Sequence, residues 1–233
     1  SADWGRSRAA GFKQVICLME IHGDDQTKVI PHREDAADNS QHGQNDIFVT
    51  EIDPAGSRLV ISEFIGGSSY DPPGDCVGRP DGSIVIGGIT GGGGFPVTPD
   101  ALRGFDAMDQ AFLVEWRRDL EATPTGRLRY ATALSSGAFC DWLLCDRVWD
   151  LALAPDGTVL ASGSQDGSVR LWDPFTATEM ASLATYFTFA VDWSPDGSQL
   201  ASGNSRGVVT VWDAASRKRV REMDSRVMSE VIS

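Results

Sequence analysis

Few residue types in this chain are spaced for chemistry. His22, His32 and His42 recur every ten residues, a spacing that puts them on no common helical face or single strand. Glu20, Asp24 and Asp25 sit near His22 without a second cluster, so all are read as surface groups. Cys140 and Cys145 have four residues between them and no second pair, and Cys17 and Cys76 lie far away, so idle or buried thiols are expected. Gly91–Gly94 lead into Phe95-Pro96 and lack the Gly-Lys-Ser/Thr ending of a phosphate loop. His-Glu-x-x-His and calcium-loop patterns do not occur. Asp150 and Asp192, in VWDLALA and TFAVDWS, are the one acid pair suited to general acid–base work or metal binding, and they are expected to face oppositely. No catalytic residue, metal or cofactor is assigned. The stronger candidates are recognition residues carried on turns: Tyr70, Trp142, Tyr186 and Arg206. An alternative structural role, packing between sheets, stays open for Trp142 and Tyr186.

The elements that must hold these turns are visible as an internal repeat. VWDLALAPDGTVLASGSQDGSVRLWD is followed by TFAVDWSPDGSQLASGNSRGVVTVWD, each matched residue offset by 40. Period-two alternation at Leu151/Leu153 and Val191/Trp193 leads into Pro-Asp-Gly turns, and a second turn carries Asp166 or Arg206 before a strand ending in Trp-Asp. Glu179–Leu183 and Lys218–Met223 serve as fourth strands. A unit of this length needs neighbours to bury its faces.

These copies resemble the WD-repeat family, which implies four-stranded β-propeller blades with Trp172, Asp173, Trp212, Asp213 and Asp166 in structural roles. The family's Gly-His is absent, its positions being Leu144 and Ala184, and Arg206 replaces the turn Asp in the second copy. The His–Asp–Ser/Thr–Trp network is therefore expected to give way to packing around the two Trp rings.

Upstream, NDIFVTEIDPAGSRLVISEFIGGSS and DQAFLVEWRRDLEATPTGRLRYATALSSG share one hairpin plan, with RPDGSIVIGGITGGGGFPVTPDAL between them. Asp46, Phe48, Val49, Asp53, Gly66, Gly67, Asp81, Gly82, Phe95, Pro96, Thr98 and Pro99 make residues 45–137 resemble the bacterial propeller repeat labelled SBBP. Ser135-Ser136 and the enlarged turn at Leu120–Thr125 depart from it.

Six strands are expected near 46–52, 58–65, 75–79, 83–89, 110–116 and 127–134, with two more inside 12–30 and eight in the WD-like copies. That predicts an all-β β-propeller of about four blades of four antiparallel strands, in a partial or open ring. The divisions are 1–44, a poorly readable segment with two strands of the first blade; 45–145, SBBP-like blades; 146–223, two WD-like blades; and 224–233, a tail.

With 41% hydrophobic and 23% charged residues the chain suits a globular fold, and a formal charge of −13 opposes nucleic acid or anionic membrane as partner. No apolar run approaches transmembrane length. The function expected is a non-catalytic scaffold for protein–protein interaction on the turn face. The alternatives are a propeller enzyme (hydrolase or lyase) or ligand binder using its channel, and an extracellular structural repeat protein. A homo-dimer completing a ring is expected from the apolar edges, against a closed four-bladed monomer. Compartment is unassigned, the WD-like half pointing to the cytoplasm and the SBBP-like half to the exterior.

Overall fold

The computed structural model describes residues 15–17, 43, 45–52, 57, 59–99, 101, 110–117, 128–134 and 147–224. Every regular element among them is a β-strand. The chain divides into two compact units, Ser1–Asp146 and Arg147–Ser233.

The first unit carries β1 (Val15–Cys17), β2 (Ile47–Ile52), β3 (Leu59–Ile65), β4 (Pro73–Gly78), β5 (Ile84–Thr90), β6 (Gln110–Trp116) and β7 (Leu128–Ala133). They form antiparallel sheets in the orders β1-β2-β3 and β4-β5-β6-β7. Both central strands of the second sheet are buried along their whole length, which is why IVIGGIT and QAFLVEW are nearly continuous apolar runs. Their side chains join Ile47, Val49 and Ile65 of the first sheet in one core containing Phe112 and Trp116. Phe95, beyond the glycine loop, packs on Phe112 with ring centroids 4.8 Å apart. Gly88 makes room for that ring: a Cβ there would stand 2.8 Å from Phe112 and 2.5 Å from the Pro72 carbonyl. The second candidate strand, at 27–30, lies outside the described residues.

The second unit carries β8 (Val148–Leu153), β9 (Leu160–Ser164), β10 (Ser168–Trp172), β11 (Glu179–Ala184), β12 (Thr188–Trp193), β13 (Gln199–Asn204), β14 (Val208–Asp213) and β15 (Arg219–Asp224). These pair as two four-stranded meanders, β8 to β11 and β12 to β15. The 40-residue offset survives in detail, because both sheets shift register just before the Trp of the third strand and again at the start of the first strand. Ala152, Ala161, Val169, Leu171 and Leu183 of one sheet pack on Val191, Leu200 and Trp212 of the other. Three polar contacts pin this joint. Asp150 Oδ2 accepts from the Val191 amide at 2.7 Å, Trp193 Nε1 donates to the Ala152 carbonyl at 3.0 Å, and Arg217 Nη1 donates to the Met180 carbonyl at 2.7 Å.

Two expectations need correction. Asp150 and Asp192 do not face oppositely. Asp192 pairs with Ala201, matching Ala152 opposite Ala161, two residues on from Asp150. A two-residue step keeps the same face of the pleat, so the acids lie on corresponding faces of their sheets. The Trp network is also not lost altogether. Trp172 Nε1 donates to Ser162 Oγ at 2.9 Å and Trp212 Nε1 to Ser202 Oγ at 3.0 Å, because the register sets third-strand Trp and second-strand Ser within reach.

Candidate functional site

At one end of the second unit, backbone bonds tie the strand connections together. Gln165 N donates to the Arg147 carbonyl, Thr185 N to that of Gly167, and Ser205 N to that of Phe187. On this rim the Arg206 guanidinium lies over the Tyr186 ring, 3.4 Å from its centroid. Half the surface of Tyr186 stays exposed (50%), so the pair presents a flat, cationic aromatic patch. The two sequence candidates on this unit are thus brought together.

Beside them is an aromatic pair that period-two reading misses. Trp149 falls between the pairs Val148–Ser164 and Asp150–Gly163, and Phe189 between Thr188–Asn204 and Ala190–Gly203. Each is the extra residue of a β-bulge, which re-aims a side chain out of the strand's alternation. The rings meet edge to face with centroids 5.4 Å apart, and Arg147 stacks on Trp149 at 4.0 Å. Phe189 remains 47% exposed. The available signal was the offset itself, since both repeats place an aromatic there. The sheet of β4 to β7 has the same bulge, with Gly74 at that place.

Asp166, on the neighbouring turn, organises rather than recognises. Its carboxylate accepts from the Ser168 amide and hydroxyl at 2.8 and 2.6 Å and pairs with Arg170. Burial opposes its charge, but the Ser168 hydrogen bonds and the Arg170 guanidinium together hold the carboxyl below the ordinary range. At the equivalent place Arg206 lacks that role, and Asn204 Oδ1 accepts the Arg206 and Val208 amides instead. Asp173 accepts the Phe175 and Thr176 amides, and Asp213 the Ser216 amide and hydroxyl, so each Trp-Asp carboxylate caps its turn. Trp172 and Trp212 are buried.

Tyr70 belongs to the first unit. It is bridged to Asn45, its carbonyl accepts from Gly91, and its side chain is partly exposed. Beside it Asp71 is fully buried and accepts from Thr90 Oγ1 at 2.5 Å and from Gly67 N at 2.6 Å. Burial raises its carboxyl above the usual range despite those donors, and the charge of Asp46 adds to the rise. The glycine loop belongs to the same knot: Gly92 N donates to Thr90 Oγ1, and Gly93 O accepts from Ser68 N and Oγ. The Gly91 and Gly92 amides and the Gly92 and Gly93 carbonyls are thus spent on the protein's own chain. Trp142, Cys140, Cys145, Leu144 and the three histidines lie outside the described residues. Among the described residues no group of three or more His, Cys, Asp or Glu is placed to hold a metal ion, and no helix is long and apolar enough to cross a membrane.

Residues 143–173 and 185–213 match the family model described as WD domain, G-beta repeat. Among solved structures, the WD40 domain of Toxoplasma gondii coronin is similar over 94% of this chain and 45% of that chain, at 15% identity and a TM-score of 0.56. The RRP9 WD40 repeats match over 65% of this chain and 38% of that one, at 16% identity and a TM-score of 0.45. The chain thus spans under half the length of these structures. The fold is an all-β propeller fold of antiparallel blades, with WD-type repeats matched at residues 143–173 and 185–213.

Proposed function

We propose that this chain is a non-catalytic scaffold that binds a protein partner through the rim formed by Arg147, Trp149, Tyr186, Phe189 and Arg206. One observation carries the reading: two bulges at the same repeat position both present aromatic rings, and both rims of that patch are stacked by arginine. Trp, Tyr and Arg are the side chains that concentrate binding energy at protein interfaces, and rings lose little conformational entropy on docking. The test is affinity capture from native extract, followed by titration of the purified partner. Tyr186→Ala and Arg206→Ala should each weaken binding by more than about 1 kcal/mol. Tyr70→Ala and Trp142→Ala in the same titration decide whether the first unit and its connection contribute. Unchanged affinity in all four variants would reject the turn face. The channel alternative would draw on Asp150, whose Oδ2 accepts from the Val191 amide.

We further propose that a second copy of the chain covers the outer face of the β12–β15 sheet. That face repeats in part the one which β8–β11 buries: Ala201, Gly203, Val209 and Val211 stand where Ala161, Gly163, Val169 and Leu171 do, Asp192 and Arg221 replace Ala152 and Ala181, and Val209 is 37% exposed. A two-fold dimer completing a ring would bury it. The SBBP-type character of residues 45–137 and the grouping of blades at 45–145 and 146–223 belong to the same proposal, supported by the shared hairpin plan of β2–β3 and β6–β7.

A further inference from the structure

The other end of the second unit holds a groove of about 390 Å³ between its two sheets. Its apolar lining comes from Val159 and Leu171 on one side and Trp193 on the other, with the exposed side chain of Met180 at the edge. Its mouth is acidic, because the Pro-Asp-Gly turns and the last Trp-Asp turn converge there with Asp156, Asp196 and Asp213. Among the described residues the one basic group lining it is Arg217, whose Nη1 is already engaged with the Met180 carbonyl. The turn amides and hydroxyls that cap these carboxylates also keep them ionised: Thr158 holds Asp156 below the ordinary range, Ser194 and Ser198 bring Asp196 down to about 2, and Ser216 lowers Asp213.

An apolar floor under a negative mouth is complementary to a side chain with an aliphatic stem and a cationic head. Guanidinium fits better than ammonium here, since it stacks on aromatic faces and meets carboxylates with a planar fork. We propose that this groove docks an arginine side chain from an extended segment of a partner protein, its stem along Val159, Leu171 and Trp193 and its guanidinium at the carboxylates of the mouth. The site is independent of the rim that carries Tyr186 and Arg206, being built from the turns at the opposite ends of the same strands.

The probe is fluorescein-labelled Leu-Arg-Leu-Arg-Leu-amide, titrated by anisotropy against the full chain at about 0.15 M ionic strength, where distant exposed charges are screened. Ala215 is exposed on the groove wall, so a substitution there leaves the core intact. Ala215→Arg should weaken binding about tenfold, a difference of about 1.4 kcal/mol, and Ala215→Glu should tighten it. Glu222→Gln changes net charge by the same step as Ala215→Arg but lies on β15 outside the groove, and should leave affinity within about twofold. Replacing arginine by citrulline should abolish binding, and Arg206→Ala should not alter it. Absent binding, equal loss in Ala215→Arg and Glu222→Gln, or retained binding of the citrulline peptide would overturn the assignment.

Discussion

Trp172 and Trp212 do two jobs at once. Each indole fills the space under its blade and donates to a serine on the adjacent strand, Ser162 or Ser202. Replacement by alanine removes the ring contacts and strands a buried hydroxyl, so Trp172→Ala and Trp212→Ala should each destabilise by about 3–5 kcal/mol in urea melts. A loss under about 1 kcal/mol would mean the ring is dispensable to packing. Asp196 makes a second prediction at this scale. Its carboxyl titrates at about 2 in the fold against a reference of 3.8, so the native state binds fewer protons between those values. The stability it contributes is complete above the reference value and is lost as pH falls through about 2. The drop in Tm from about pH 5 to pH 2 should therefore be smaller in Asp196→Asn than in the parent, and equal drops would count against this source. The exposed turn keeps the effect small, because water screens the group.

The strands show where a sequence can be read and where it cannot. β6 runs over 110–116 as its apolar run predicts, and the WD-like strands follow from the repeat. The fourth strand of the chain was expected at 75–79 but occupies Pro73–Gly78, because a bulge at Gly74 carries the pairing back to the proline. The same device hid Trp149 and Phe189: alternation assigns them to one face, and the bulge turns them out of it. Tyr186 and Arg206 were legible as turn residues, but the stack between them depends on a contact across strands that no local pattern encodes. Buried charge was equally invisible. Arg79 and Glu115 are almost wholly buried and meet at 2.7 Å, with Arg129 at 3.6 Å from the same carboxylate. Glu115→Gln removes the close partner and leaves buried Arg79 with the Asp81 carboxylate at 4.0 Å, and should cost about 3–5 kcal/mol, read by denaturant melts. A neutral outcome would mean that Asp81 serves as the counter-charge of Arg79.

On the scale of the whole molecule, a repeat unit is stable only with its faces covered, and the outer face of β12–β15 sets Val209 and Val211 beside Asp192 and Arg221, with Val209 37% exposed. Light scattering at several concentrations should show a dimer whose population rises with concentration. A constant monomer mass with cooperative unfolding would refute self-association through that face. The central claim is that the bulge-and-turn rim of the second unit is where a partner binds. Hydrogen–deuterium exchange on the purified complex tests it most directly. Slowed exchange on binding should concentrate at residues 147–149, 165–167, 185–189 and 204–206, the segments that form the rim. Protection confined to the first unit, or to the strands with these segments unchanged, would contradict it.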